Sequence, residues 1–326
     1  MALTAALHAD TWSLLHDNDF VFDSDDRYSA GLQIGWTGSA YEAAEADSFN
    51  RAYISAMSSL LALTGVSFEG RRRSGAISLQ EMMITPSNLE SRVPIYDDVP
   101  YAGILSADFA LFAYDDDDFD TYRLSVGILG PDSGAESLQK AVHKLVGATD
   151  PKGWDNQLGT KAIIQAGYAK GIRQYVRKYA GESRLEWFNS YYVDIGTLYS
   201  GAGVGSSLRY GVNMPRNFAA SGGLLNNITG DRLGLEEGRR KWGWEIRAGI
   251  ALNGVAYFYY FDEAKRRGYT FDRPRLIPKA NIGASLYLDG FRLSLDLFPE
   301  GSSNANTESS SFGRISFTWW PGRSNP

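Results

Sequence analysis

The chain has no cysteine. This excludes disulfide staples, a thiol nucleophile and thiolate metal sites, and it suits an envelope protein free of stray thiols. It also lacks any run near the ~20 apolar residues that a membrane-spanning helix needs. Basic residues are not in excess: 32 Lys and Arg against 38 Asp and Glu give a net charge of −6, so there is no cationic footprint for nucleic acid. Histidine is scarce, with three in 326 residues. The 35 glycines are spread along the chain rather than gathered into repeats.

What is abundant is aromatic side chains, with 19 Tyr, 16 Phe and 8 Trp, and two-residue alternation. Tyr122, Leu124, Val126 and Ile128 alternate with Arg123, Ser125 and Gly127. Trp244, Ile246, Ala248, Ile250 and Leu252 alternate with Glu245, Arg247, Gly249, Ala251 and Asn253. Phe291 to Leu297 and Ile315 to Trp319 repeat the pattern. Each run reads as a strand with one apolar and one polar face. Many runs reach about 9–12 residues, which exceeds the usual soluble strand and matches a membrane-barrel span. A mean hydropathy of −0.27 agrees, because the lumen-facing half of each such strand is polar. Trp36, Trp187, Tyr191, Tyr192, Tyr257, Tyr259, Trp319 and Trp320 fall near strand ends, as interfacial girdles do.

The pattern predicts strands at 10–20, 27–38, 73–84, 102–114, 121–130, 161–172, 184–198, 205–213, 241–261, 279–288, 291–298 and 312–320. Asn253-Gly254 offers a hairpin inside 241–261. Bacterial single-chain barrels close on even numbers, so this stretch is read as one strand bulged or bent at Gly254. The expectation is an all-β, twelve-stranded antiparallel transmembrane barrel over residues 10–320. Met1 to Ala9 is read as the remnant of a secretory signal, and 321–326 as a C-terminal tail. Residues 41–63 carry a helical apolar stripe, read as a helix packed at the barrel's inner rim.

With the termini on the periplasmic side, the connections after strands one, three and five share the external rim. They bring together Asp17-Asn18-Asp19, Asp26 to Gly31, the segment from Thr85 to Gly103, and Gly130 to Gln157. Function tends to sit on loops held by a rigid scaffold. Residues 134–148 predict a short helix on which Gln139 and His143, four apart, share a face. An imidazole there can serve as a general base, although a lone helical histidine is more often structural. Asp17, Asn18 and Asp19 offer oxygens of the kind calcium prefers, or simply a strand-end turn. Ser29 is a candidate nucleophile or a plain lumen serine.

These motifs in this order resemble the lipid A 3′-O-deacylase family: Asn18-Asp19-Phe20, Asp26-Arg27-Tyr28-Ser29-Ala30-Gly31, Thr85-Pro86, Asp98 to Gly103, Gly130-Pro131, Gln139-x3-His143 and Gly153-Trp154-x2-Gln157. The resemblance spans nearly the whole chain. It implies an outer-membrane carboxylic ester hydrolase, with a Ca²⁺-dependent site between the barrel wall and a short external helix. It places the catalytic pair on Asn18 and Asp19, the hydroxyl on Ser29, the histidine on His143 and its accompanying glutamine on Gln139. The expected metal ligands are Asp19 and Asp150, since the acidic position of some members is Thr149 here. The family's active-site lysine has no match in 85–100, where Arg92 is the one basic residue. The expected partners are lipid A or lipopolysaccharide as substrate and the surrounding outer-membrane lipids, with the barrel acting as a monomer. Two mechanisms stay open, water activated by His143 or attack by Ser29. A Ser29-dependent phospholipase or esterase of another envelope lipid, and a non-enzymatic pore or structural barrel, are the functional alternatives.

Overall fold

The computed structural model describes residues 10–18, 27–41, 48–215, 242–270, 275–288, 290–299 and 311–319. Among these lie twelve strands: β1 (Thr11–Asn18), β2 (Arg27–Thr37), β3 (Arg72–Thr85), β4 (Ala102–Tyr114), β5 (Asp118–Leu129), β6 (Lys161–Lys178), β7 (Ser183–Gly196), β8 (Tyr199–Val212), β9 (Trp242–Phe258), β10 (Leu276–Leu288), β11 (Phe291–Pro299) and β12 (Ser311–Trp319). Each pairs antiparallel with its chain neighbours, and β1 closes on β12. The predicted twelve-stranded barrel is therefore the observed one. The predicted leader remnant at 1–9 and tail at 321–326 lie outside the described residues.

The stretch read as 241–261 differs in detail. No hairpin forms at Asn253-Gly254. Asn253 is buried, accepting a 2.6 Å hydrogen bond from the Tyr192 hydroxyl and donating to the Ile277 carbonyl at 3.2 Å. The register irregularity falls two residues on, where Tyr257 and Val255 face Ser200 and Gly201. The strand then gives way to α3 (Tyr259–Arg266), which buries Tyr260 and Ala264 one turn apart. An unbroken aromatic run, Tyr257 to Phe261, hides this change of period.

Alternation sets the two faces of the wall. On β1, Ser13, Leu15 and Asp17 are buried while Trp12, Leu14 and His16 are exposed. Inward polar groups fill the lumen. Arg209 reaches Glu186 at 2.5 Å and Glu245 at 3.5 Å, and Arg247 pairs with Glu245 at 2.9 Å and with Asp296. Arg123 joins Asp108 and Asp194. Apolar layers lie on either side: Ala110, Phe112, Phe119 and Phe188 in one half, and Ile104, Leu129, Leu158, Tyr199 and the α3 residues Tyr260 and Ala264 at the opposite mouth. Tyr192, expected in an interfacial girdle, belongs to this interior.

The predicted helix in 41–63 is α1 (Ser48–Ala62), at the rim that carries the termini. It lies on the outward side of that rim. Trp36 packs against Phe49 and Tyr53, with centroids 5.5 and 6.4 Å apart, and the Tyr53 hydroxyl donates to the Ala76 and Ala110 carbonyls.

Candidate active site

At the rim opposite the termini, three connections tie to one another. The Tyr101 hydroxyl donates to the Leu89 carbonyl at 3.1 Å, Asn156 donates to the Arg92 carbonyl at 2.9 Å, and Tyr260 donates to the Pro100 carbonyl at 2.9 Å. The backbone N–H of Thr270 reaches the Tyr96 carbonyl at 2.8 Å. The loops after β3, β5 and β9 thus form one rigid crown, as the strand count anticipates for the first two.

The helix predicted at 134–148 is α2 (Ala135–Val146). It ends because Gly147 adopts a left-handed conformation, φ 73°, and its N–H caps the His143 carbonyl. Its approach to the barrel requires Gly103. A Cβ there would fall 2.2 Å from the Ser133 hydroxyl oxygen and 2.3 Å from the Ala135 Cβ. Gly103 alternates with the inward residues Ala102 and Ile104, so α2 lies against the outside of the wall. Ala135 packs with Met83, Leu89, Tyr101 and Trp154, and Leu138 and Ala30 join the same cluster. The helix therefore runs from β4 across β3 towards β2.

Gln139 is buried beneath α2, and its Oε1 accepts a 2.7 Å hydrogen bond from the indole of Trp154. Trp154 in turn packs on Tyr101 at 4.9 Å. His143 lies one turn further, an advance of about 6 Å, which exceeds the ~4.8 Å between strands and carries it towards β1. Its Nδ1 meets the carbonyl of Thr149. A carbonyl only accepts, so Nδ1 carries the hydrogen and the neutral ring holds its lone pair on Nε2. On the solvent side of the helix Lys140 donates to Glu136 at 2.6 Å, and this hydrogen bond raises the lysine's pKa.

The other sequence-predicted residues separate into groups. Asn18 ends β1 directly opposite Ala30, and Ala30 faces Met83, so the row under α2 leads to Asn18. Ser29 occupies the irregularity between Tyr28 and Ala30 in β2. Asp19 and the side chains of Asn18 and Ser29 lie outside the described residues. Asp150 is exposed in the loop after α2, next to Thr149. Among the described residues no group of three His, Cys, Asp or Glu could hold a metal. One oxygen donor considered in the sequence is corrected: Asp17 turns into the lumen, where Arg314 binds both its oxygens at 2.6 and 2.8 Å. Arg92 is exposed on the crown.

Sequence reasoning overlooked Glu81 and Ser133. Glu81 lies in an apolar run, Met82 to Ile84 following it, and only its parity with the exposed Leu79 assigns it to the outward face. The Ser133 hydroxyl lies beside its carboxyl.

No curated protein matches the sequence. Among solved structures, LpxR from Salmonella typhimurium superposes with a TM-score of 0.75 at 15% identity, covering 95% of this chain and 99% of that one. The β domain of the Bordetella autotransporter BrkA gives 0.44 at 9% identity, over 95% and 98% of the two chains. The first likeness shows the same barrel fold, and the model of the family described as outer membrane protein LpxR matches residues 1–320. The chain belongs to the LpxR family of outer-membrane proteins.

Proposed function

We propose that the protein is a calcium-dependent hydrolase that removes the 3′-linked acyloxyacyl chain of lipid A, with His143 as general base. The observation that carries this reading is the ring of His143. It sits on a helix clamped to the outside of the wall, with Nδ1 engaged by Thr149 and Nε2 left to take a proton. An ester of an outer-leaflet lipid reaches that place along the wall without entering the lumen.

Nε2 accepts a proton from water while the water oxygen bonds to the ester carbonyl carbon, and the carbonyl electron pair moves onto its oxygen. When that pair returns, the C–O bond to the sugar breaks and the alkoxide takes the proton back from His143. The Asn18 amide donates to the developing oxyanion, and the Ser29 hydroxyl positions the water. Gln139, fixed by Trp154, holds the turn that carries the base. The Thr149 carbonyl at the ring and the exposed carboxylate of the adjoining Asp150 are oxygen donors, the kind a hard cation takes. A Ca²⁺ held by Asp19 and Asp150 would supply positive charge for the oxyanion.

The filled lumen favours this reading over a pore, because charged and apolar layers occupy the path a solute would need. Mass spectrometry of lipid A incubated with purified protein tests it. The expected product lacks one acyloxyacyl unit, and forms neither with His143→Ala nor after chelation of calcium. Full activity of His143→Ala would overturn the assignment, and a trapped acyl-Ser29 would replace the water route by the serine one.

A further inference from the structure

The outward wall beneath α2 can be followed row by row. The row at the rim is Asn18–Ala30–Met83–Gly103, the next is His16–Leu32–Glu81–Leu105, and below it come Leu14–Ile34–Leu79–Ala107. The following row holds Trp36, where Phe49 and Tyr53 of α1 close over the wall. From Ala30 to Trp36 the strand advances about 20 Å. Exposed Leu32 and Ile34 floor this strip, and α2 and α1 bound its two ends.

One row breaks its apolar character. His16 and Glu81 flank Leu32 on the neighbouring strands, roughly two strand spacings or ~9.6 Å apart. In the same half of the wall the other described strands carry outward residues such as Leu124, Val126, Ile164, Ile195, Leu252, Ile282 and Leu295. An ionisable group facing hydrocarbon is costly and generally marks function. Glu81 is 7% exposed, and its Oε1 has no hydrogen-bond partner. No basic side chain pairs with it among the described residues. A buried acceptor left in this state calls for a donor from elsewhere.

We infer that His16 and Glu81 form a polar subsite for the free hydroxyl of a hydroxylated acyl chain lying over Leu32. This rests on the hydrolase reading for the identity of the lipid, since an acyl chain there enters from the rim beside Asn18 and His143. The donors a lipid chain can bring to Glu81 are O–H and N–H, and the His16 ring can donate to a hydroxyl or ester oxygen. The subsite selects hydroxylated chains over plain ones.

The test is equilibrium binding of two non-hydrolysable probes, 3-hydroxytetradecyl glucoside and tetradecyl glucoside, to the full chain in lipid nanodiscs. Wild type should prefer the hydroxylated probe by several-fold to about tenfold, the worth of one hydrogen bond. Glu81→Leu and His16→Phe should each bring the ratio close to one. Glu81→Gln, which keeps an acceptor, should retain part of it and guards against misfolding of the leucine variant. Equal binding of both probes by wild type, or an unchanged ratio in both variants, overturns the subsite. Because the probes are not esters, the outcome is separate from turnover: preference without lipid A cleavage removes the hydrolase reading, and cleavage without preference removes the subsite.

Discussion

The lumen and the outward wall under α2 both bury ionisable groups, and they treat them in opposite ways. Inside, Arg209, Glu186, Glu245, Arg247, Asp296, Arg123, Asp108 and Asp194 each face an opposite charge. Outside, Glu81 has a hydroxyl on one side and an oxygen without a partner. These charge networks hold the shape of the barrel; single atoms such as Arg123 Nε and Glu245 Oε2 lack a hydrogen-bond partner there too, but each group keeps a counter-charge, which Glu81 lacks among the described residues. Open valences on the wall, together with a histidine whose tautomer is fixed by a loop carbonyl, are where a substrate can contribute the missing contact.

The sharpest way to break this contrast is to remove a group from each side. Loss of the imidazole in His143→Ala is expected to lower the deacylation rate by about 10²–10⁴, the usual worth of a general base. Folding, read from heat-modifiable gel mobility, should be unaffected. In the lumen the opposite pattern is expected. Arg209→Ala removes the cation that Glu186 and Glu245 share and leaves each with its remaining partner, Arg184 or Arg247. It should destabilise the barrel by about 1–3 kcal/mol in denaturant unfolding and leave the protein that remains folded active.

Gln139→Leu lies between these extremes. It strips the buried Trp154 indole of its acceptor, at a cost of about 1–3 kcal/mol, and loosens the turn that carries His143. Activity should drop by about tenfold with binding of the lipid little changed, which steady-state kinetics would separate.

The smallest effect belongs to the turn at the opposite rim. Burial by itself would raise the pKa of Asp115, but the backbone N–H groups of Asp118 and Asp117 and the charges of Arg71 and Arg72 outweigh it and hold the carboxyl below its ordinary value of 3.8. A depressed carboxylate contributes stability that is fully present above the unfolded value and lost as pH falls through the folded one. Asp115→Asn should therefore be slightly less stable than wild type at neutral pH, and the difference should vanish in acid below the usual Asp range.

Much of the barrel was legible in the sequence because its strands have one polar and one apolar face, and the period of two survives in nearly every strand. It failed where that signal is ambiguous. Tyr257 to Phe261 are aromatic throughout, so the passage from β9 into α3 leaves no mark in the pattern. Asp17 looks like a third oxygen donor beside Asn18 and Asp19, yet alternation turns it into the lumen towards Arg314. The helix with Gln139 and His143 was visible from its four-residue spacing. That Trp154 is the partner of Gln139 was not, since fifteen residues of loop separate them and only the fold closes that distance. Glu81 escaped notice because it sits beside an apolar run, Met82 to Ile84, and the segment that covers it, with Ser133, arrives from another connection.

The helix bearing His143 lies across the bilayer-facing wall, over the row that leads to Asn18. The absence of native cysteine makes this directly measurable with nitroxide labels at Val142→Cys on α2 and Leu32→Cys on β2. The expected result is strong dipolar broadening between the two labels in nanodiscs, present in the doubly labelled protein and absent from each single label. A doubly labelled spectrum equal to the sum of the singles would place α2 away from the wall and contradict the account.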